Sequence, residues 1–190
     1  MSDDESDEDK GVQDGAIIDE PRVRVGIDQV TDKEVIFSAT TPVRVVESDE
    51  GYERFVIPSN QPMKVRYNTS NGKYVFESGG TIHVADSYLR FEGESVDTIF
   101  TVASYSDVRS WNTSLNDNTF RDTLEVHHSA NKGRTWLINE LPMEHYLYGV
   151  DESSNTAPEE YHKALNTAAR TYALYMWEHK TKYAGEHIDV

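Results

Sequence analysis

The chain has 190 residues, 37% hydrophobic and 27% charged, which is room for one domain, or two small ones, with a buried core. Its formal net charge of −16 argues against a phosphate backbone or an anionic membrane surface as a partner, since both call for a basic surface. The absence of cysteine excludes a disulfide scaffold, an iron–sulfur cluster and a cysteine nucleophile, and no run of 18 apolar residues offers a membrane helix.

Residues 1–20 carry nine acidic residues and one Lys, half of the net charge. So acidic and apolar-poor a segment cannot offset its chain entropy by burial, and it is expected to be a disordered tail. Its opening, Met1-Ser2-Asp3-Asp4-Glu5, reads as the opposite of a secretory leader, which begins basic and continues apolar.

From residue 21 to 106 the pattern is short, β-rich and punctuated by turns. Strands are expected at Val23–Ile27, Glu34–Ser38, Pro42–Glu47, Tyr52–Ile57, Met63–Tyr67 and Lys73–Phe76. Thr81–Val84, Tyr88–Phe91 and Thr98–Val102 continue the series. Spacings of this kind suggest a sandwich or a barrel. Residues 107–118 are polar and read as a loop. Thr123–His127 and Arg134–Ile138 then read as a hairpin across the turn-rich Ser129–Gly133.

Glu140–Gly149 reads as a short helix, with Pro142 in its first turn and Gly149 in the left-handed position past its end. Thr156-Ala157-Pro158-Glu159 has the form of a capping box. A long amphipathic helix is expected from Pro158 to about Lys180, with Tyr161, Leu165, Ala168, Tyr172 and Tyr175 on one buried stripe. The fold class is therefore α+β: a β-rich region at 21–106, then, within 119–190, a hairpin, a short helix and a long helix.

Lys163 and Arg170 lie two helical turns apart and share a face, with Asn166 and Thr167 between them. Asp151 and Glu152 stand in the loop before the helix. Carboxylates near a helix start, beside two cations and an amide, can make an acid/base site. An ordinary solvated helix face is the plainer reading of the same spacing.

Residues Asn139-Glu140-Leu141-Pro142-Met143-Glu144-His145-Tyr146-Leu147-Tyr148-Gly149-Val150, followed by Ala164-Leu165-Asn166-Thr167-Ala168-Ala169-Arg170-Thr171-Tyr172-Ala173-Leu174, resemble the SpoIID/LytB family. The resemblance is strong from about residue 119 onward. It implies action on bacterial peptidoglycan, in the cell envelope or outside the cell. The implied activity is lytic transglycosylation of glycan strands stripped of stem peptides. Glu152 would be the catalytic acid, and Lys163 and Arg170 would bind substrate. The loop is two residues shorter than the family pattern and lacks its flanking Pro and Met, so Asp151 and Glu144 stay open beside Glu152. Tyr146 and Tyr148 are expected near the acid, where partial burial would raise its pKa. The alternative implied by the same family is a non-catalytic enhancer of a cell-wall amidase. The resemblance also implies further segments after the long helix, so the chain reads as cut short at its C-terminus. No cofactor is expected. His127 and His128 are adjacent and point to opposite faces of a strand, and Glu159-x-x-His162 lacks the second copy that a di-iron site needs, so no metal is expected either.

Overall fold

The computed structural model describes residues 20–48, 51–150, 156–180 and 182–190. The acidic segment expected as a tail lies, apart from Glu20, outside the described residues. The strands are β1 (Arg22–Gln29), β2 (Val35–Ala39), β3 (Val43–Glu47), β4 (Tyr52–Ile57), β5 (Met63–Asn68), β6 (Lys73–Ser78), β7 (Thr81–Ala85), β8 (Leu89–Gly93) and β9 (Ile99–Val102). They are followed by β10 (Val108–Arg109), β11 (Asn112–Asn116), β12 (Thr119–Arg121), β13 (Thr123–Ser129) and β14 (Arg134–Pro142). Among the described residues there are two helices, α1 (Met143–Tyr148) and α2 (Glu159–His179). The class is α+β.

The strands form two six-stranded antiparallel sheets, ordered β1-β14-β13-β8-β3-β4 and β12-β9-β2-β5-β6-β7. They pack as a sandwich because strands such as β2, β6 and β8 alternate buried and less buried residues, so one face of each sheet can be removed from water. Phe91 of β8 meets Phe37 of β2 edge-on at 4.8 Å and Phe76 of β6 at 5.4 Å, joining the two sheets. All three rings are buried. Strands on both sides of residues 107–118 share one sheet and one core: β13 pairs with β8, β14 pairs with β1, and Leu124, Val126 and Leu137 pack with Val43 and Phe91.

All eleven strands expected from the sequence are present. Residues 107–118, expected as a loop, instead hold the small β10–β11 ribbon. Its large apolar residues, Val108, Trp111 and Leu115, are exposed, so no buried face signals it. Polar contacts close it: Asp107 N–H donates to Asn116 Oδ1 at 2.8 Å, and Arg109 Nε meets Asp117 Oδ2 at 2.6 Å.

The C-terminal residues return to β1. Gly26 N–H donates to the Val190 carbonyl at 2.9 Å, Asp189 N–H to the Arg24 carbonyl at 2.8 Å, and Arg24 N–H to Asp189 Oδ2 at 2.9 Å. Gly26 permits this approach, since a Cβ there would stand 2.9 Å from Ile188 Cδ1.

Candidate functional site

Strand β14 runs directly into α1. Pro142 ends the strand and sits at the helix N-cap with φ −56° and ψ 146°. The helix expected from Glu140 thus starts at Met143, because Glu140 and Leu141 stay paired with β1. Gly149 follows the helix with φ −92°, in the right-handed region rather than the left-handed one expected, and its N–H still closes on the Tyr146 carbonyl at 3.0 Å. Met143 and Leu147 are buried, whereas Tyr148 is exposed.

Helix α2 runs over the expected span but starts at Glu159. Pro158 occupies its N-cap and makes no side-chain cap, so the capping-box start two residues earlier is not taken. The buried stripe also differs from the expected one. Ala173 and Met176 are the buried residues of the helix, whereas Tyr161, Tyr172 and Tyr175 are about half exposed and Ala168 is exposed. Ala173 packs against Val23 and Met143, with Val25 and Tyr146 beside them. Small side chains let the helix approach α1 and β1 closely, and the bulky tyrosines fall on its flank.

The residues singled out from the sequence have the following places. Arg170 forks onto Glu144 of α1, with Nε to Oε1 at 3.0 Å and Nη2 to Oε2 at 2.6 Å, and so ties the helices together. The paired carboxylate raises the Arg170 pKa. Lys163 meets Glu159 at 2.8 Å and Glu160 at 3.1 Å on the exposed start of α2, and the pairing raises its pKa as well. Asp151 and Glu152 lie outside the described residues. His127 and His128 do face opposite ways: His127 stacks on His187 at 4.4 Å, and His128 stacks on Tyr67 at 4.0 Å.

A cleft of about 550 Å³ opens beside α1. Its size falls within the range of small-molecule sites. Val25, Asn139 and Leu141, neighbours on β1 and β14, line it together with His145, Tyr146 and Tyr148 of α1. The remaining wall comes from β12 and the β10–β11 ribbon, including Arg121, Phe120, Arg109 and Asp117. The cleft reaches Gly149, three residues before Glu152. The Nδ1 of His145 is buried without a hydrogen-bond partner. Sequence reasoning found the tyrosines but not Arg109 or Arg121. Both are isolated cations; the pairing of β12 with β9 places Arg121, and the β10–β11 ribbon places Arg109.

Asn139 and Glu140 divide the two faces of β14 between them. Asn139 Nδ2 donates to the carbonyls of Arg121 at 2.6 Å and Thr123 at 2.8 Å, which fixes the β12 end of the cleft. Glu140 points to the outer face, where it meets Arg22 at 2.8 Å, Arg90 at 2.9 Å and Arg24 at 3.0 Å. Burial pushes the Glu140 carboxyl up, but the hydrogen bonds from Arg90 and Arg22 outweigh it and hold the group well below the usual carboxylate range. Glu125, fully buried beside it, pairs with Arg90 and lies 3.3 Å from His187 Nε2. Burial, reinforced by the charges of His187 and Arg24, lowers the His127 pKa to about 4.

Residues 131–190 match the family model SpoIID, described as stage II sporulation protein. The resemblance noted in the sequence thus holds over this C-terminal part. No curated protein and no solved structure matches the chain significantly.

Proposed function

We propose, taking residues 131–190 as a SpoIID-type unit, that the chain acts on bacterial peptidoglycan in the cell envelope as a lytic transglycosylase of peptide-free glycan strands. The observation that supports this reading is the cleft beside α1, one wall of which, from β14 and α1, belongs to the matched segment and reaches Gly149, just ahead of the Glu152 loop. Its lining suits a saccharide: aromatic faces at Tyr146, Tyr148 and Phe120, with hydrogen-bonding groups at Asn139, Arg109 and Arg121 between them.

The chemistry needs one carboxyl group. Glu152 protonates the bridging oxygen as the bond from that oxygen to the anomeric carbon breaks. The resulting carboxylate then takes the proton of the same sugar's 6-hydroxyl, whose oxygen bonds to the anomeric carbon. The product ends in a 1,6-anhydro ring, the acid is regenerated, and no water is consumed. The second carboxylate of most glycosidases is therefore not required.

A specific observation favours the second reading, a non-catalytic enhancer of a cell-wall amidase. Lys163 and Arg170, the cations assigned to substrate by the resemblance, are each closed by carboxylates of this chain and do not line the cleft. Incubation with peptide-free glycan strands separates the two. Under the first reading mass spectrometry finds anhydro-muramic ends, and Glu152→Gln lowers their formation by about a hundredfold or more, the usual contribution of a general acid. Their absence with the unaltered protein, together with stimulation of an amidase, establishes the enhancer instead.

A further inference from the structure

The two sheets present four edge strands among the described residues, β1, β4, β7 and β12. Natural sheets guard such edges, because a row of free N–H and C=O groups recruits another strand. Three of the four are guarded. The residues around Asp189 cover β1 by hydrogen bonds with Arg24 and Gly26. Strand β4 bears Glu53 and Arg54, and its register on β3 is broken between Val45 and Val46. Strand β12 has only three residues, one of them Arg121. Strand β7 has none of these devices. Its five residues, Thr81-Ile82-His83-Val84-Ala85, include no Lys, Arg, Asp, Glu or Pro, and their register on β6 is unbroken. Ile82 and Val84 are each 64% exposed.

The hairpin that makes β7 also decides which of its backbone groups are free. Gly79 and Gly80, at φ 57° and 79°, form a two-residue turn that closes on the pair Ser78 and Thr81. Hydrogen-bonded and non-bonded pairs alternate along an antiparallel ladder. Thr81, His83 and Ala85 therefore direct their N–H and C=O groups to β6, and Ile82 and Val84 direct theirs away from it. The charges nearest this edge are already matched within the chain. Glu77, opposite Ile82, meets Lys64 at 3.7 Å, and Asp86, just past β7, pairs with Lys73. No local excess of like charge keeps a neighbour away, although the whole chain carries −16.

We propose that β7 is the contact through which a second copy of this chain binds, antiparallel and edge to edge, with the two-fold axis at His83. The strand is complementary to itself in that register. Ile82 of one copy lies opposite Val84 of the other, so the outward backbone groups of both residues exchange N–H···O bonds in both directions. Their side chains meet on one face as apolar cross-strand pairs. A contact in which the same patch serves both subunits closes on itself and stops at a dimer. The cleft beside α1 is walled by β12, at the opposite edge of the same sheet, five strand spacings or about 24 Å from β7. Pairing through β7 leaves that cleft open in each copy, and it holds whatever chemistry the cleft performs.

The test is sedimentation equilibrium of the full chain over a concentration series. So short a ladder makes an interface of the size found in transient complexes, so the series extends to high micromolar concentration. A reversible monomer–dimer equilibrium is expected. Ile82→Lys and, separately, Val84→Lys are expected to raise the dissociation constant about tenfold or more, because each lost pair occurs twice in a two-fold dimer. Val56→Lys, at an equally open apolar site on β4, is expected to leave it unchanged. A second measurement reads the register without disturbing the apolar pairs. The chain has no cysteine of its own, so one introduced thiol reports on itself. His83→Cys sets two thiols opposite one another at a Cα separation of about 4.5 Å, within disulfide range, and is expected to be trapped as a covalent dimer under mild oxidation. Thr81→Cys leaves its two thiols about 14 Å apart along the ladder and is expected to stay monomeric under the same conditions. A monomer throughout the series overturns the proposal. So does a dimer weakened by Val56→Lys as much as by Ile82→Lys, or equal cross-linking of the two cysteine variants.

Discussion

The two faces of the sheet containing β13 and β14 hold their strands by opposite means. On the inner face Leu89, Phe91, Leu124, Val126 and Leu137 merge into the sandwich core. On the outer face their chain neighbours Arg90, Glu92 and Glu125, with Glu140 of β14, join Arg22, Arg24 and Arg44 in a lattice of ion pairs. The inner face is stabilised without regard to direction, so it tolerates a change of shape better than a missing volume. The outer face depends on matched charges in low dielectric, so removing one member leaves its partners uncompensated.

Three measurements sharpen this contrast, the strongest first. Phe91→Ala removes the ring that bridges the sheets and is expected to cost about 4 kcal/mol in urea denaturation. A cost near that of a surface site would mean that the sheets are not joined there. Glu140→Ala is expected to cost somewhat less, about 3 kcal/mol, because Arg90 keeps Glu125 while Arg22 and Arg24 are partly open to water. A neutral result would show that the lattice is ornamental to stability. The third is the pH dependence from His127. Its folded-state pKa of about 4 lies below the ordinary 6.5 or so, so the unfolded chain binds the proton first. The stability is whole above pH 6.5 and is lost progressively as pH falls toward 4. The gap between the urea midpoints of the unaltered protein and His127→Gln is expected to shift against the unaltered protein between pH 7.5 and 4.5. A gap independent of pH would place that histidine in a solvated setting.

The same contrast explains what could be read in advance. Strands such as Val35–Ala39 and Lys73–Ser78 alternate cleanly, because one side of each meets the core. The ribbon at Val108–Asn116 has no buried side, and the three residues of β12 are too few to show a period. The tyrosine period in α2 is real, but it marks the flank. Contact goes to Ala173, whose lack of bulk is itself the signal, and hydrophobicity alone under-weights it. The ion pairs of Glu140 join residues as far apart as Arg22 and Arg90, and only the strand order reveals them. In the cleft, the α1 residues were legible as a local motif. Arg109 and Arg121 arrive from another part of the chain, Arg121 by the register of β12 on β9 and Arg109 by the β10–β11 ribbon.

The position of β1 has a consequence for how the molecule is made. Its partners are β14 and the residues around Asp189, and the bond from Arg24 to Asp189 spans 165 positions. β1 must therefore wait, unpaired, until β14 and then the residues around Asp189 have emerged. Closure of this margin is a late event, dominated by the entropy of bringing distant pieces together. A nascent chain stalled before residue 134 would leave that strand as an open ladder of amides, a template for joining to its neighbours on a polysome.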